Sequence, residues 1–258
     1  MARILLYITF ILFFTEQILS AYLSPHGGSA RIIGGTDSTI EEIPWQVSIL
    51  YYTINHCGGS IINEDTVLTA SHCFHSHGTD PESFSVRVGT NRRSGDGQIL
   101  KVKKIIPHPE FNIKTYNHDI AIVKLKDKLK FNDKIQPIEL SEITEILPVG
   151  EFGIASGFGL LSFDKGGFPT ILQKVNLKVL DQTVCQRKYE KVNRITEFMF
   201  CAGGDGIHDA CGGDSGGPFV VNKTLVGVIS HAIKCALEEY PGVFARVSTH
   251  RDWIDENI

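Results

Sequence analysis

Gly213-Asp214-Ser215-Gly216-Gly217-Pro218, two residues past Cys211, is the stretch on which the reading of this chain turns. A serine becomes reactive where the backbone turns sharply enough to expose its hydroxyl. Glycine allows such a turn because it reaches positive φ without steric cost, and a missing Cβ lets a substrate carbonyl approach backbone N–H groups. A hydroxyl is still a poor nucleophile without a base, and the base needs a third group to fix its tautomer. The hexapeptide therefore predicts a committed histidine and a carboxylate elsewhere. Of ten histidines, His72 stands apart. It ends Val67-Leu68-Thr69-Ala70-Ser71-His72-Cys73, directly after a strand-like run and beside a cysteine that would hold it rigidly. Asp119, in Asn117-His118-Asp119-Ile120-Ala121, opens an apolar strand, where a carboxylate can be buried against an imidazole.

The chain begins as a secreted protein does. Arg3 precedes an apolar run from 4 to 14, and Ser20 and Ala21 offer small residues for signal cleavage. That run is too short for a membrane span, and no later stretch approaches about 18 apolar residues, so a soluble, secreted chain is expected. The formal net charge of −4 gives no reason for nucleic-acid or anionic membrane binding. Cys57, Cys73, Cys185, Cys201, Cys211 and Cys235 are an even set in a secretory context, which predicts three disulfides, although spacing alone leaves their pairing open. Zinc-finger spacing is missing. No metal or cofactor is expected: His75 and His77 sit in a polar loop, and the 89–98 loop offers Asp96 with few other carboxylates for calcium.

Short β-branched and aromatic runs at 46–52, 66–70, 84–88 and 120–125 read as strands, as do 224–230 and 242–247. Residues 172–180 include the apolar/polar alternation of a half-buried strand. Helix is predicted only at 182–191 and 248–257, the latter capped by Ser248 or Thr249. Many short strands and 25 glycines indicate an all-β barrel or sandwich architecture. A polar stretch with Pro137 and Pro148 separates two similar halves.

His72, Asp119 and Ser215 occur in that order, and here the chain resembles the chymotrypsin/trypsin serine proteases. The likeness covers residues 32–258. It is carried by Ile32-Ile33-Gly34-Gly35, Pro44-Trp45-Gln46-Val47-Ser48, Cys57-Gly58-Gly59-Ser60, the three motifs above and Pro241-Gly242-Val243-Phe244. It implies an all-β fold of two six-stranded antiparallel barrels, divided near 137–150, with the active site in the cleft between them and a short C-terminal helix. It implies His72 as general base and acid, Asp119 as its orienter, Ser215 as nucleophile, and the Gly213 and Ser215 N–H groups as the oxyanion hole. Ser230 would support Asp119. The implied disulfides are Cys57–Cys73, Cys185–Cys201 and Cys211–Cys235, a sparse set similar to that of invertebrate trypsins. Arg31-Ile32 resembles the family's zymogen cleavage site: the freed Ile32 amino group would pair with Asp214, making 1–21 a signal peptide, 22–31 a propeptide and 32–258 the protease domain.

By the same resemblance, Asp209 is the floor of the specificity pocket and selects Arg or Lys, because a desolvated carboxylate favours a cation. Ala210 replaces a common Ser and tilts preference toward Arg, while Gly242 keeps one wall open. The other wall departs from the family pattern of Ser-Trp-Gly, reading Ser230-His231-Ala232 and then Ile233-Lys234-Cys235. The Ala232 methyl and the Lys234 cation stand where they would obstruct or repel a basic side chain. Phe158 replaces a usual Trp and is expected only to pack. Asn222-Lys223-Thr224 is a glycosylation sequon on a hairpin turn. The expectation is a monomeric secreted endopeptidase acting on protein or peptide substrates and met by protein protease inhibitors. The altered wall motivates the alternative of a protease-fold protein, catalytically weak or inactive, that binds other proteins.

Overall fold

The computed structural model describes residues 32–164 and 166–258; the expected signal peptide and propeptide, Arg31 included, lie outside the described residues. Strands β1 (Thr36–Asp37), β2 (Gln46–Tyr51), β3 (Ile54–Asn63), β4 (Thr66–Thr69), β5 (Phe84–Val88), β6 (Gln98–Pro107) and β7 (Ala121–Leu125) come first. β8 (Glu139–Leu140), β9 (Phe152–Gly157), β10 (Gln173–Lys178), β11 (Met199–Ala202), β12 (Pro218–Val221), β13 (Thr224–His231) and β14 (Gly242–Arg246) follow. The helices are α1 (His72–His75), α2 (Gln182–Tyr189) and α3 (Arg251–Asp255).

Strands β2 to β7 close a barrel in the order β2-β3-β4-β7-β6-β5. Its interior is filled by inward residues such as Val47, Ile49, Val86 and Val102, the last two flanked by less buried Ser85, Lys101 and Lys103. β4 and β7 lack a clean apolar/polar alternation because most of their residues are covered. β3 was not evident in the sequence, since Gly58 and Gly59 resemble a loop. They are strand residues at a close approach. A Cβ on Gly59 would lie 2.8 Å from Val67 Cγ1, and one on Gly58 would lie 3.0 Å from Gly217 Cα.

The second half is a curled sheet in the order β1-β10-β9-β12-β13-β14-β11, with β8 paired to β13. Its ring of six strands is joined only by the isolated bridge Val179–Ala202, supported by Leu180 N–H to Cys201 O (2.9 Å) and Gly203 N–H to Lys178 O (3.0 Å). It is thus more open than the first barrel, with the two-residue strands β1 and β8 added to the ring. Phe200, Phe219 and Phe244 fill its centre, ring against ring at 4.6–5.5 Å.

Asp181 caps α2, its Oδ1 accepting from Thr183 N (2.9 Å) and Val184 N (3.1 Å). The C-terminal helix is shorter than 248–257. A 3-10 turn at Ser248–His250 precedes it, and Thr249 Oγ1 donates to Arg246 O (3.0 Å) instead of capping the helix. Trp253 and Ile254 dock on the first barrel's core. Because β1 belongs to the second sheet, the described residues start on the second half, build the first and return.

Candidate active site

Ser215 sits in the turn before β12, and that turn is held from three sides. Gly58 N donates to Ser215 O (2.8 Å), Gly216 N to Ile229 O (2.7 Å) and Gly217 N to Asp214 O (2.8 Å). Gly216 has φ +80°, and a Cβ there would stand 2.2 Å from Thr69 Oγ1, so no other residue fits. Gly213 has φ +99°. The N–H groups of Gly213 and Ser215 have no hydrogen-bond partner among the described residues.

β4 delivers His72 at the first residue of α1, with Cys73 tied to Cys57 of β3. Ser71 Oγ donates to Ile120 O (2.6 Å) and accepts from His108 N (3.1 Å), fixing the turn before His72 to the start of β7. Asp119 is 0 % exposed. Its Oδ1 accepts from His72 N (2.8 Å), and its Oδ2 faces His72 Nδ1 (2.7 Å) and accepts from Ser230 Oγ (2.6 Å). A buried carboxylate with three donors is satisfied as an anion and holds the ring's Nδ1 protonated, leaving Nε2 free.

His72 and Ser215 line one cavity of about 250 Å³ together with Asp209, Ala232 and Lys234. Asp209 is 1 % exposed; its Oδ2 accepts from Ala236 N (2.9 Å), while Oδ1 has no partner among the described residues. Burial pushes its carboxyl up to about 7. Gly242 leaves that oxygen uncovered, since a Cβ there would lie 2.8 Å from Oδ1. Ala210 and Gly242 line the cavity as well. The Ala232 methyl does not seal it. Lys234, exposed and at φ +60°, holds its ammonium 6.0 Å from the Phe163 ring centre at the rim. The Cys211–Cys235 and Cys185–Cys201 disulfides are formed.

Several neighbours left no signal in the sequence. Tyr116, in a turn at φ +56°, stands edge-on to His72 (5.6 Å) and stacks on His231 (4.5 Å, 29°). His231 is wired into the site. Asn193 Nδ2 donates to its Nε2 (3.3 Å), so its proton is on Nδ1, which faces Ser230 Oγ (3.1 Å). Burial lowers its pKa to about 4, keeping it neutral. A chain of donors thus runs from Asn193 through His231 and Ser230 to Asp119.

Asp214 is fully buried and pushed up to about 6 by burial. Gly159 N (2.7 Å) and Cys211 N (2.9 Å) donate to its two oxygens. Gly157 and Gly159 make room for it, since a Cβ on either would lie within 2.3 Å of a carboxylate oxygen. Ile32 is 0 % exposed, and Ile33 O accepts from Asp209 N (3.1 Å). Phe158 packs with Ile40, Ile43 and Leu172. Asn222 is exposed in a two-residue hairpin loop with Lys223, at φ 48° and 67°, the backbone of a type I′ turn.

Comparison with known proteins agrees with this geometry. The Trypsin family model matches residues 32–254. A vitellin-degrading protease of Bombyx mori is 40% identical over 232 residues, covering 90% of this chain and 87% of that protein. A trypsin of Phaedon cochleariae is 37% identical over 228 residues, covering 88% of each. Trypsin 5G1 of Aedes aegypti is 37% identical over 230 residues, covering 88% of this chain and 85% of its own. With the family model spanning both barrels and the cleft between them, this chain belongs to the trypsin family of serine proteases.

Proposed function

We propose that the chain is a secreted serine endopeptidase that hydrolyses peptide bonds after Arg or Lys. Its domain is residues 32–258, preceded by a signal peptide (1–21) and a propeptide (22–31) removed at Arg31-Ile32. One observation carries the specificity: Asp209, buried with an unpartnered oxygen, lines the same cavity as His72 and Ser215. A guanidinium or ammonium entering that cavity supplies the missing partner, and an apolar side chain leaves a buried polar group unpaired.

Ser215 Oγ attacks the scissile carbonyl while His72 Nε2 takes its proton. Asp119 stabilises the resulting imidazolium through the Nδ1–H bond, and the free N–H groups of Gly213 and Ser215 receive the oxyanion. His72 returns the proton to the leaving amine, giving an acyl-enzyme that water hydrolyses by the same steps in reverse order. Cleavage before Ile32 frees an ammonium that pairs with Asp214, a buried carboxylate with room kept for it by Gly157 and Gly159. Protein and peptide substrates occupy the cleft, and protein inhibitors compete for it.

The test is to cut the proprotein at Arg31-Ile32, then measure turnover of peptides ending in Arg, Lys and Phe beside labelling by a serine-directed phosphonate. Labelling of Ser215 with turnover confined to Arg and Lys is expected. No labelling and no turnover would sink the enzyme reading and return the chain to a binding role. Labelling without Arg or Lys turnover would refute the assignment of Asp209 alone.

A further inference from the structure

Three histidines that proteolysis does not use meet behind Asp119. His108 follows β6, His118 immediately precedes Asp119, and His250 ends the turn before α3. One nitrogen from each lies within 4.8 Å of the others. His118 and His250 are 8 % and 2 % exposed, and His108 is half-buried.

Their hydrogen bonds constrain the protons. His250 Nδ1 lies 2.6 Å from Arg246 O. A carbonyl only accepts, so Nδ1 carries the proton and Nε2 is bare. His118 Nδ1 lies 3.2 Å from that bare nitrogen and, carrying its proton, donates to it. In the other tautomer the proton sits on His118 Nε2, 3.3 Å from Glu110 Oε2, and both nitrogens turn lone pairs to the space between the rings.

The spacing suits a metal. Two imidazole nitrogens on a tetrahedral ion with bonds of roughly 2.0–2.1 Å stand about 3.3 Å apart. The carbonyl of Arg246 and the carboxylate of Glu110 orient the rings from behind, as outer partners of metal-bound imidazoles do. His108 Nδ1 accepts the exposed Glu110 N–H (3.2 Å), a bond that water replaces when the ring turns its lone pair to an ion. Trp253 and Phe198 wall the cluster at 4.7 and 4.0 Å from His108 and His118. The other His/Cys grouping, Cys57, His72 and Cys73, offers no thiolate because its sulfurs are bonded to each other.

We propose that His108, His118 and His250 form a site for a divalent transition-metal ion of the zinc class, with water in the fourth position. Three neutral imidazoles select zinc, copper or nickel over calcium and magnesium. No sequence motif announced this site, because its ligands come from three separated segments and only α3 docking on the first barrel brings His250 to the other two.

The test uses chelator-treated full-length protein titrated with zinc sulfate, cobalt chloride and calcium chloride. Expected results are uptake of one zinc per chain, an unfolding midpoint that rises with zinc but not calcium, and visible cobalt bands of a low-coordinate nitrogen site. His108→Phe and His250→Phe should each weaken zinc binding by at least about tenfold, and His72→Ala should leave it unchanged. The cobalt spectrum needs no variant, so poor folding of either Phe variant does not leave the idea unchecked. Sub-stoichiometric uptake, a six-coordinate oxygen-type cobalt spectrum, or binding that is lost with His72→Ala would overturn the proposal.

Discussion

Amidinium binding at Asp209 should be steeply pH-dependent. The carboxyl is buried, one oxygen has no partner, and only Ala236 N and the Ala210 backbone support its charge, so burial raises it to about 7. The sign follows. A carboxyl raised in the folded state favours its neutral form there, so the empty pocket's contribution to stability is full below the ordinary Asp value and is lost as pH climbs toward 7. An amidinium ligand pairs only with the ionised form, so its affinity rises over the same range. With a pKa of about 7, roughly one pocket in a hundred is ionised at pH 5, and benzamidine should bind about a hundredfold more weakly there than at pH 8; at pH 6 the deficit is about tenfold. The assay is calorimetric titration in the His72→Ala background, which removes the imidazole lining the same cavity from the proton count. Buffers of differing ionisation enthalpy should report close to one proton released per ligand at pH 6. Asp209→Asn should abolish both the binding and the pH slope. An affinity that changes by less than about twofold from pH 5 to pH 8 would mean that the carboxylate is already charged in the empty pocket and that burial does not govern it.

Other expectations follow from single contacts. Gly216→Ala should destabilise the fold by about 2 kcal/mol or more, because the Cβ meets Thr69 Oγ1 at 2.2 Å in a left-handed backbone; denaturant unfolding reads this. Ser230→Ala removes the donor between His231 and Asp119. Hydrogen bonds to charged groups are worth about 1.5–3 kcal/mol, so kcat should fall roughly ten- to a hundredfold with KM little changed, and an unaltered kcat would remove Ser230 from the positioning of Asp119. Lys234→Gln should raise kcat/KM for Arg substrates by a few-fold at low ionic strength, a gain that shrinks in high salt because the ammonium is exposed. Ser215→Ala should lower kcat by about 10⁶ with the fold intact.

The proposed catalytic residues were legible because each lies in a local motif whose backbone demands are severe. Gly216 must be glycine, Asp119 must be buried at a strand start, and His72 must sit beside a bonded cysteine. The alternation in β10 and the turn at Asn222-Lys223 were equally readable, since both depend on neighbours in sequence. What stayed hidden depends on distant partners. Nothing local marks Gly58 and Gly59 as strand; Val67 and Gly217, distant in sequence, press on them. His231 resembled a degraded position, yet Asn193, Tyr116 and Ser230 give it defined bonds on both nitrogens. Ala232 and Lys234 line the same cavity as Asp209, so their effect on a basic side chain is read by the Lys234→Gln measurement. The C-terminal helix begins late because Thr249 bonds backward to Arg246, a preference that local propensity does not distinguish from capping.

The path of the chain between its halves has a mechanical consequence. β1 is clamped to β10 of the second half, while α3, at the end of that half, docks on the first. Each half therefore grips a terminal segment of the other, and none of the three disulfides joins them. A nick in the connection between β7 and β8 would leave the two pieces interlocked, with the cleft still assembled. The halves should melt in one transition, because neither can let go without peeling away a strand or helix on which its neighbour depends.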